Sequence, residues 1–95
     1  MVIVNQDKSM IINFNNIVST YVIKKYVSEE KGYKGYNIDC TTNEEINFVL
    51  ATYETEERAK EVLKEIIKAY LDCNVQNVLA EYAYVKNIVF EMPTE

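Results

Sequence analysis

The residues with the most chemical promise in this 95-residue chain lie between positions 24 and 36, where Lys24, Lys25, Lys31 and Lys34 interleave with Tyr26, Tyr33 and Tyr36 around Gly32 and Gly35. A lysine meets a phosphate by charge, a tyrosine ring stacks on a nucleobase, and a glycine lets the backbone come close to a ligand. A solvated hairpin is the plainer reading of the same stretch, with tyrosines shielding a sheet and Glu29 and Glu30 balancing the lysines. A second aromatic group, Tyr82 and Tyr84 beside Lys86 and Asn87, can line a pocket or simply pack on a sheet. The candidate ligand-binding residues are therefore Lys24, Lys25, Tyr26, Tyr33, Lys34, Tyr36, Tyr82 and Tyr84.

Catalytic chemistry has little to work with. The chain has no histidine, so no Ser-His-Asp or Cys-His arrangement, imidazole base or histidine metal ligand can be written. Cys40 and Cys73 are too far apart in sequence for a CxxC redox pair and too few for a thiolate zinc site, and both are expected as free thiols. Adjacent carboxylates occur at Glu29/Glu30, Glu44/Glu45 and Glu56/Glu57. Neighbours on a strand or helix point in different directions, so the first two pairs read as turn charges and the third as helix-start charges. No phosphate loop, dinucleotide fingerprint or calcium loop is found. We expect no enzyme activity, no metal and no cofactor.

Composition points to binding instead. Eight tyrosines without a tryptophan supply rigid, amphipathic contact area of the kind favoured at interfaces. The formal charge of -5 disfavours the phosphate backbone of nucleic acid, which calls for a basic face. The acidic residues are mixed with lysines, so a nucleic-acid mimic is not indicated either. No stretch resembles a signal peptide or a membrane span, and a cytoplasmic protein is expected.

Positioning these residues requires one domain spanning residues 1–95, a length that suits a single small core. Residues 55–71 carry Ala59, Val62, Leu63, Ile66, Ile67, Tyr70 and Leu71 at the three-and-four spacing of an amphipathic helix. Thr55 is its expected N-cap, Glu56 and Glu57 suit the positive end of the helix dipole, and Glu56 with Lys60 makes a favourable pair. Asp72, Cys73 and Asn74 interrupt the pattern, which places the helix end near 72. Tyr70, on the stripe, is assigned to the core or its immediate border.

Before the helix, strands are expected at 2–4, 10–14, 17–27, 36–41 and 46–53. Tyr36, Ile38 and Cys40 alternate with polar residues, giving one buried and one wet face. The strand at 17–27 is apolar on both faces, so it sits inside a partial barrel or is covered by the C-terminal segment or a second copy. Residues 74–92 read as a short second helix followed by a strand at 88–92. The expected fold is α+β: an antiparallel sheet of five or six strands packed on one long helix, with a pleckstrin-like half-barrel as the alternative. Gly32 and Gly35 are placed in a long, mobile hairpin loop.

The segments IVNQDKSMIINFNNI (3–17), YETEERAKEVLKEIIKAY (53–70) and FEMPTE (90–95) together resemble a family of small uncharacterised proteins of phages, prophages and other mobile elements in Clostridia-like gut bacteria. The resemblance spans most of the chain and brings no catalytic motif. It implies a standalone protein in the cytoplasm of a bacterial host, and by analogy with small phage proteins a role against host defence. Two versions stay open. In one, a homodimer or higher homo-oligomer sequesters a nucleotide-derived signal; in the other, the chain binds and inhibits a host protein or serves as a regulatory or scaffold domain without a small ligand.

Overall fold

A computed structural model describes the backbone of residues 1–79 and 89–95 and the side chains of 1–72 and 89–95. The order is β1 (Val2–Val4), β2 (Ile11–Asn13), a 3-10 turn (Phe14–Asn16), β3 (Ile17–Ser28), β4 (Gly32–Thr42), β5 (Asn47–Tyr53), α1 (Glu56–Leu79) and β6 (Val89–Glu91). The protein is α+β, as expected, but the strands form two sheets of three rather than one of five or six. One sheet has the order β2-β1-β6, with β1 antiparallel to β2 and parallel to β6. The other is the antiparallel β3-β4-β5 meander. Hairpin spacing correctly pairs β1 with β2, but the other partner of β1 is β6, far away in sequence.

The β1–β2 connection is closed by Asn5, whose side chain accepts from the Met10 backbone N–H at 2.9 Å and donates to Ser9 Oγ at 3.0 Å. Those bonds allow Asn5 to be buried in a short polar loop. Ile3 and Ile12 of the first sheet and Met92 just after it join Ile38, Cys40, Leu50, Ala51 and Tyr53 of the second and Ala59, Val62 and Ile66 of α1 in one buried cluster. The expected alternation in β4 holds, since Ile38 and Cys40 are fully buried and Tyr36 is half-buried.

Helix α1 begins as the sequence predicts. Thr55 Oγ1 accepts from the Arg58 backbone N–H at 3.1 Å, and Lys60 Nζ lies 2.8 Å from a Glu56 carboxylate oxygen. Its end does not: α1 is one continuous helix of 24 residues, passing through Asp72, Cys73 and Asn74, and no break separates a second helix before Leu79. The polar trio lowers helix propensity without forbidding it, while Leu71, Val75 and Leu79 continue the four-residue spacing. The apolar stripe is also broader than the surface it meets. Ile67, Tyr70 and Leu71 stay exposed, so of the two places read for Tyr70 it takes the one beside the core, its ring packing on Phe14 at 5.1 Å between centroids. Among the described residues no helix is long and apolar enough to cross a membrane.

Candidate functional site

The lysine and tyrosine cluster is built by the β3–β4 hairpin, and the loop expected there is strand almost throughout. β3 runs to Ser28, β4 begins at Gly32, and the three residues between make the turn. Lys31 donates its backbone N–H to Ser28 Oγ at 3.0 Å, and Gly32 takes the left-handed conformation at φ 65.

Two register shifts arrange the cluster. Lys24 pairs with Tyr36, Tyr26 with Tyr33 and Ser28 with Gly32. The first shift sets Lys34 and Gly35 against Lys25, and the second leaves Val27 as the extra residue. Gly35 is required at the first bulge by its φ of 77 and because a Cβ there would lie 2.8 Å from the Tyr53 carbonyl oxygen.

The consequence is an edge-to-face aromatic pair. Tyr26 and Tyr33 meet edge to face with centroids 5.5 Å apart and planes at 69°, yet are 55% and 65% exposed. No residue from Ile23 to Lys34 is buried, so the pair stands on a part of the hairpin beyond the core. Among the described residues no ion pair engages Lys24, Lys25 or Lys34.

The remaining candidates are placed differently. By strand alternation Lys24 and Tyr36 share the helix-facing side with Ile38, and Lys25 projects to the opposite side. Tyr36 borders an open cleft of about 600 Å³ whose other walls are Glu54, Thr55, Glu56, Glu57 and Lys60. Lys60 holds the Glu56 carboxyl below its usual range by its hydrogen bond and charge, with a smaller contribution from Lys24. Three glutamates make that cleft hostile to phosphate. The residues that share one side of the hairpin outside this cleft are therefore Tyr26 and Tyr33, with Lys24 beside them, whereas Lys25 and Lys34 lie on the other side. Tyr82 and Tyr84 lie outside the described residues.

Two other concavities flank α1. Near its start, Tyr53, Glu54, Arg58 and Thr94 line a cavity of about 450 Å³. The Arg58 guanidinium there is already committed: it donates to the Glu95 carbonyl at 2.9 Å and lies 3.1 Å from Glu61 and 3.8 Å from Glu65. Farther along, Phe14, Ile17, Val18, Leu63, Ile67 and Tyr70 form an apolar groove of about 390 Å³.

Cys40, the only thiol among the described side chains, is buried, and burial pushes its pKa up, which suppresses the nucleophilic thiolate. No group of three or more metal-ligating side chains gathers among the described residues.

Two residues that the sequence does not single out hold notable positions. Gln6 bridges the sheets through both ends of its amide. Asp39 has a buried Oδ1 without a hydrogen-bond partner. The signal for Asp39 lies in the outward-facing alternate positions of β3 to β5, where it is the one acid, but it becomes visible only once the register is known. No family model, curated protein or solved structure matches the chain.

Proposed function

We propose that this chain is a non-enzymatic binding protein that recognises its ligand with the outer part of the β3–β4 hairpin. The observation that carries this reading is the Tyr26–Tyr33 pair, set edge to face, largely exposed and sharing its side of the hairpin with Lys24. Solvent exposure of two aromatic rings is costly to solubility and is repaid by a ligand that stacks on them. The residue types fit a planar anion such as a nucleotide-derived signal, held without breaking a bond. A single hairpin offers no enclosure, so in this reading two copies close over the ligand. Origin in a phage or mobile element, action against host defence and a bacterial cytoplasmic setting rest on the sequence resemblance and form the biological part of the proposal.

Native mass spectrometry with a panel of cyclic di- and trinucleotides and ADP-ribose-type signals tests it. One ligand per dimer is expected, with affinity lowered at least about tenfold by Tyr33→Ala, the scale of one lost stacking contact. No mass shift with any ligand rejects the nucleotide version. The exposure of both rings at the tip favours a protein partner as the second reading. Loss of a captured host protein on Tyr33→Ala, with retention by Glu44→Ala in the other hairpin turn, supports that alternative.

A further inference from the structure

The side of the β3–β4–β5 sheet turned away from α1 carries an unsatisfied acid at its centre. Asp39 sits on the middle strand, opposite Tyr21 of β3 and Val49 of β5. Its Oδ1 is buried and accepts no hydrogen bond. Two threonine hydroxyls of this face are committed elsewhere: Thr52 donates to Asn37 Oδ1 at 2.7 Å, and Thr41 donates to Asn47 Oδ1 at 2.7 Å. Among the described residues the cations on this side of the hairpin, Lys25 four residues beyond Tyr21 and Lys34 five before Asp39, lie about 13 Å or more along their strands, outside the reach of their side chains. Around the carboxylate, Ile23 and Val49 remain 46% and 48% exposed. Desolvation raises the Asp39 pKa, the mark of a carboxylate whose water has been removed without replacement.

We propose that this face docks a protein segment bearing an arginine or lysine, whose cation pairs with Asp39 while its neighbours cover Ile23 and Val49. Two exposed aliphatic side chains beside one desolvated charge, on a face otherwise polar, have the anatomy of a small binding surface, and the sign of the charge names the complement. A second copy is the wrong occupant: a two-fold axis through the centre of the face would bring two Asp39 carboxylates together, and each copy carries a formal charge of -5. The surface is independent of the Tyr26–Tyr33 pair, which lies on the other side of the sheet.

The test uses the full chain and two peptides, acetyl-Val-Arg-Val-amide and acetyl-Val-Gln-Val-amide, followed by backbone amide NMR shifts. The arginine peptide is expected to move the amides of Ile23, Asp39 and Val49. The glutamine peptide, and the arginine peptide on Asp39→Asn, should bind at least about fivefold more weakly. Asp39 accepts no bond at Oδ1, so Asp39→Asn keeps the fold; Val49→Lys is a second variant that should repel the arginine peptide. Equal binding of both peptides, unchanged binding by Asp39→Asn, or no shifts up to the solubility limit overturns the proposal. So does a dimer that Val49→Lys dissociates, because a second copy then occupies the face.

Discussion

Asp39 and Tyr53 are both displaced by burial, and each ties stability to pH at a different end of the scale. The Asp39 carboxyl is raised from its usual 3.8 by desolvation. The folded state therefore holds that proton more tightly than the unfolded state, and stability falls as pH rises from 3.8 through the raised value. Asp39→Asn removes this slope. Urea denaturation should find the variant more stable at neutral pH, with the difference closing below the unfolded carboxyl range. Tyr53 is pushed up to about 12, chiefly by burial, with the Arg58 charge acting the other way. Its hydroxyl donates to the Pro93 carbonyl at 2.7 Å, a bond only the neutral phenol can make. The unfolded tyrosine ionises first, near its usual 10, so stability declines as pH climbs from there towards 12. Tyr53→Phe should cost about 1 kcal/mol at neutral pH and flatten that alkaline decline, as read by circular dichroism melts across the range.

At the scale of elements, the hairpin depends on two glycines that are not equivalent. Both have positive φ, but a Cβ on Gly32 meets nothing within 4 Å, whereas one on Gly35 strikes the Tyr53 carbonyl oxygen at 2.8 Å. Gly32→Ala should cost about 1 kcal/mol for the left-handed conformation alone. Gly35→Ala should cost about 2 to 3 kcal/mol, because that conformational cost is joined by displacement of β5 backbone. Comparative urea melts check the order. The same elements show what sequence makes legible. Local rules suffice where the cause is local: the Thr55 cap, the Glu56–Lys60 pair and the alternation of Tyr36, Ile38 and Cys40 all stand as read. The glycines marked irregular backbone correctly, but irregularity proved to be bulged strand rather than loop, since β-bulges absorb the extra residues without ending the ladder. Asp72 to Asn74 misled because polar residues weaken a helix by tenths of a kcal/mol while termination needs a stronger breaker. The tyrosines of the candidate site were visible by type. That Tyr26 faces Tyr33 while Tyr36 faces an acidic cleft was not, because the register is set by bulges that composition does not reveal.

For the whole molecule, the join between the two sheets is the part least legible in sequence, and it is concentrated in Gln6. Its backbone N–H donates to the Leu50 carbonyl at 2.8 Å, and its side-chain oxygen accepts from the Thr52 N–H at 2.9 Å. Its side-chain nitrogen lies 3.0 Å from the Thr52 carbonyl, 3.1 Å from that of Pro93 and 3.2 Å from that of Thr94. One residue thus acts as a short strand along the free edge of β5 and also holds the segment after β6, which covers an edge that would otherwise invite pairing with another chain. Gln6→Ala removes the side-chain half of this arrangement and should cost about 2 kcal/mol, with faster amide exchange at Thr52. Gln6→Glu is the sharper experiment. The carboxylate can still accept from Thr52 N–H, but its other oxygen would face three carbonyls and needs a proton to bond any of them. The folded variant therefore holds that proton above the ordinary carboxyl range, and stability must fall as pH rises through the interval between the unfolded and folded pKa values. At acid pH Gln6→Glu should approach the parent, and at neutral pH it should be less stable than Gln6→Ala. A Gln6→Glu protein with no added pH dependence would mean that the segment after β6 swings away from position 6, and that the two sheets are joined by the shared apolar core alone.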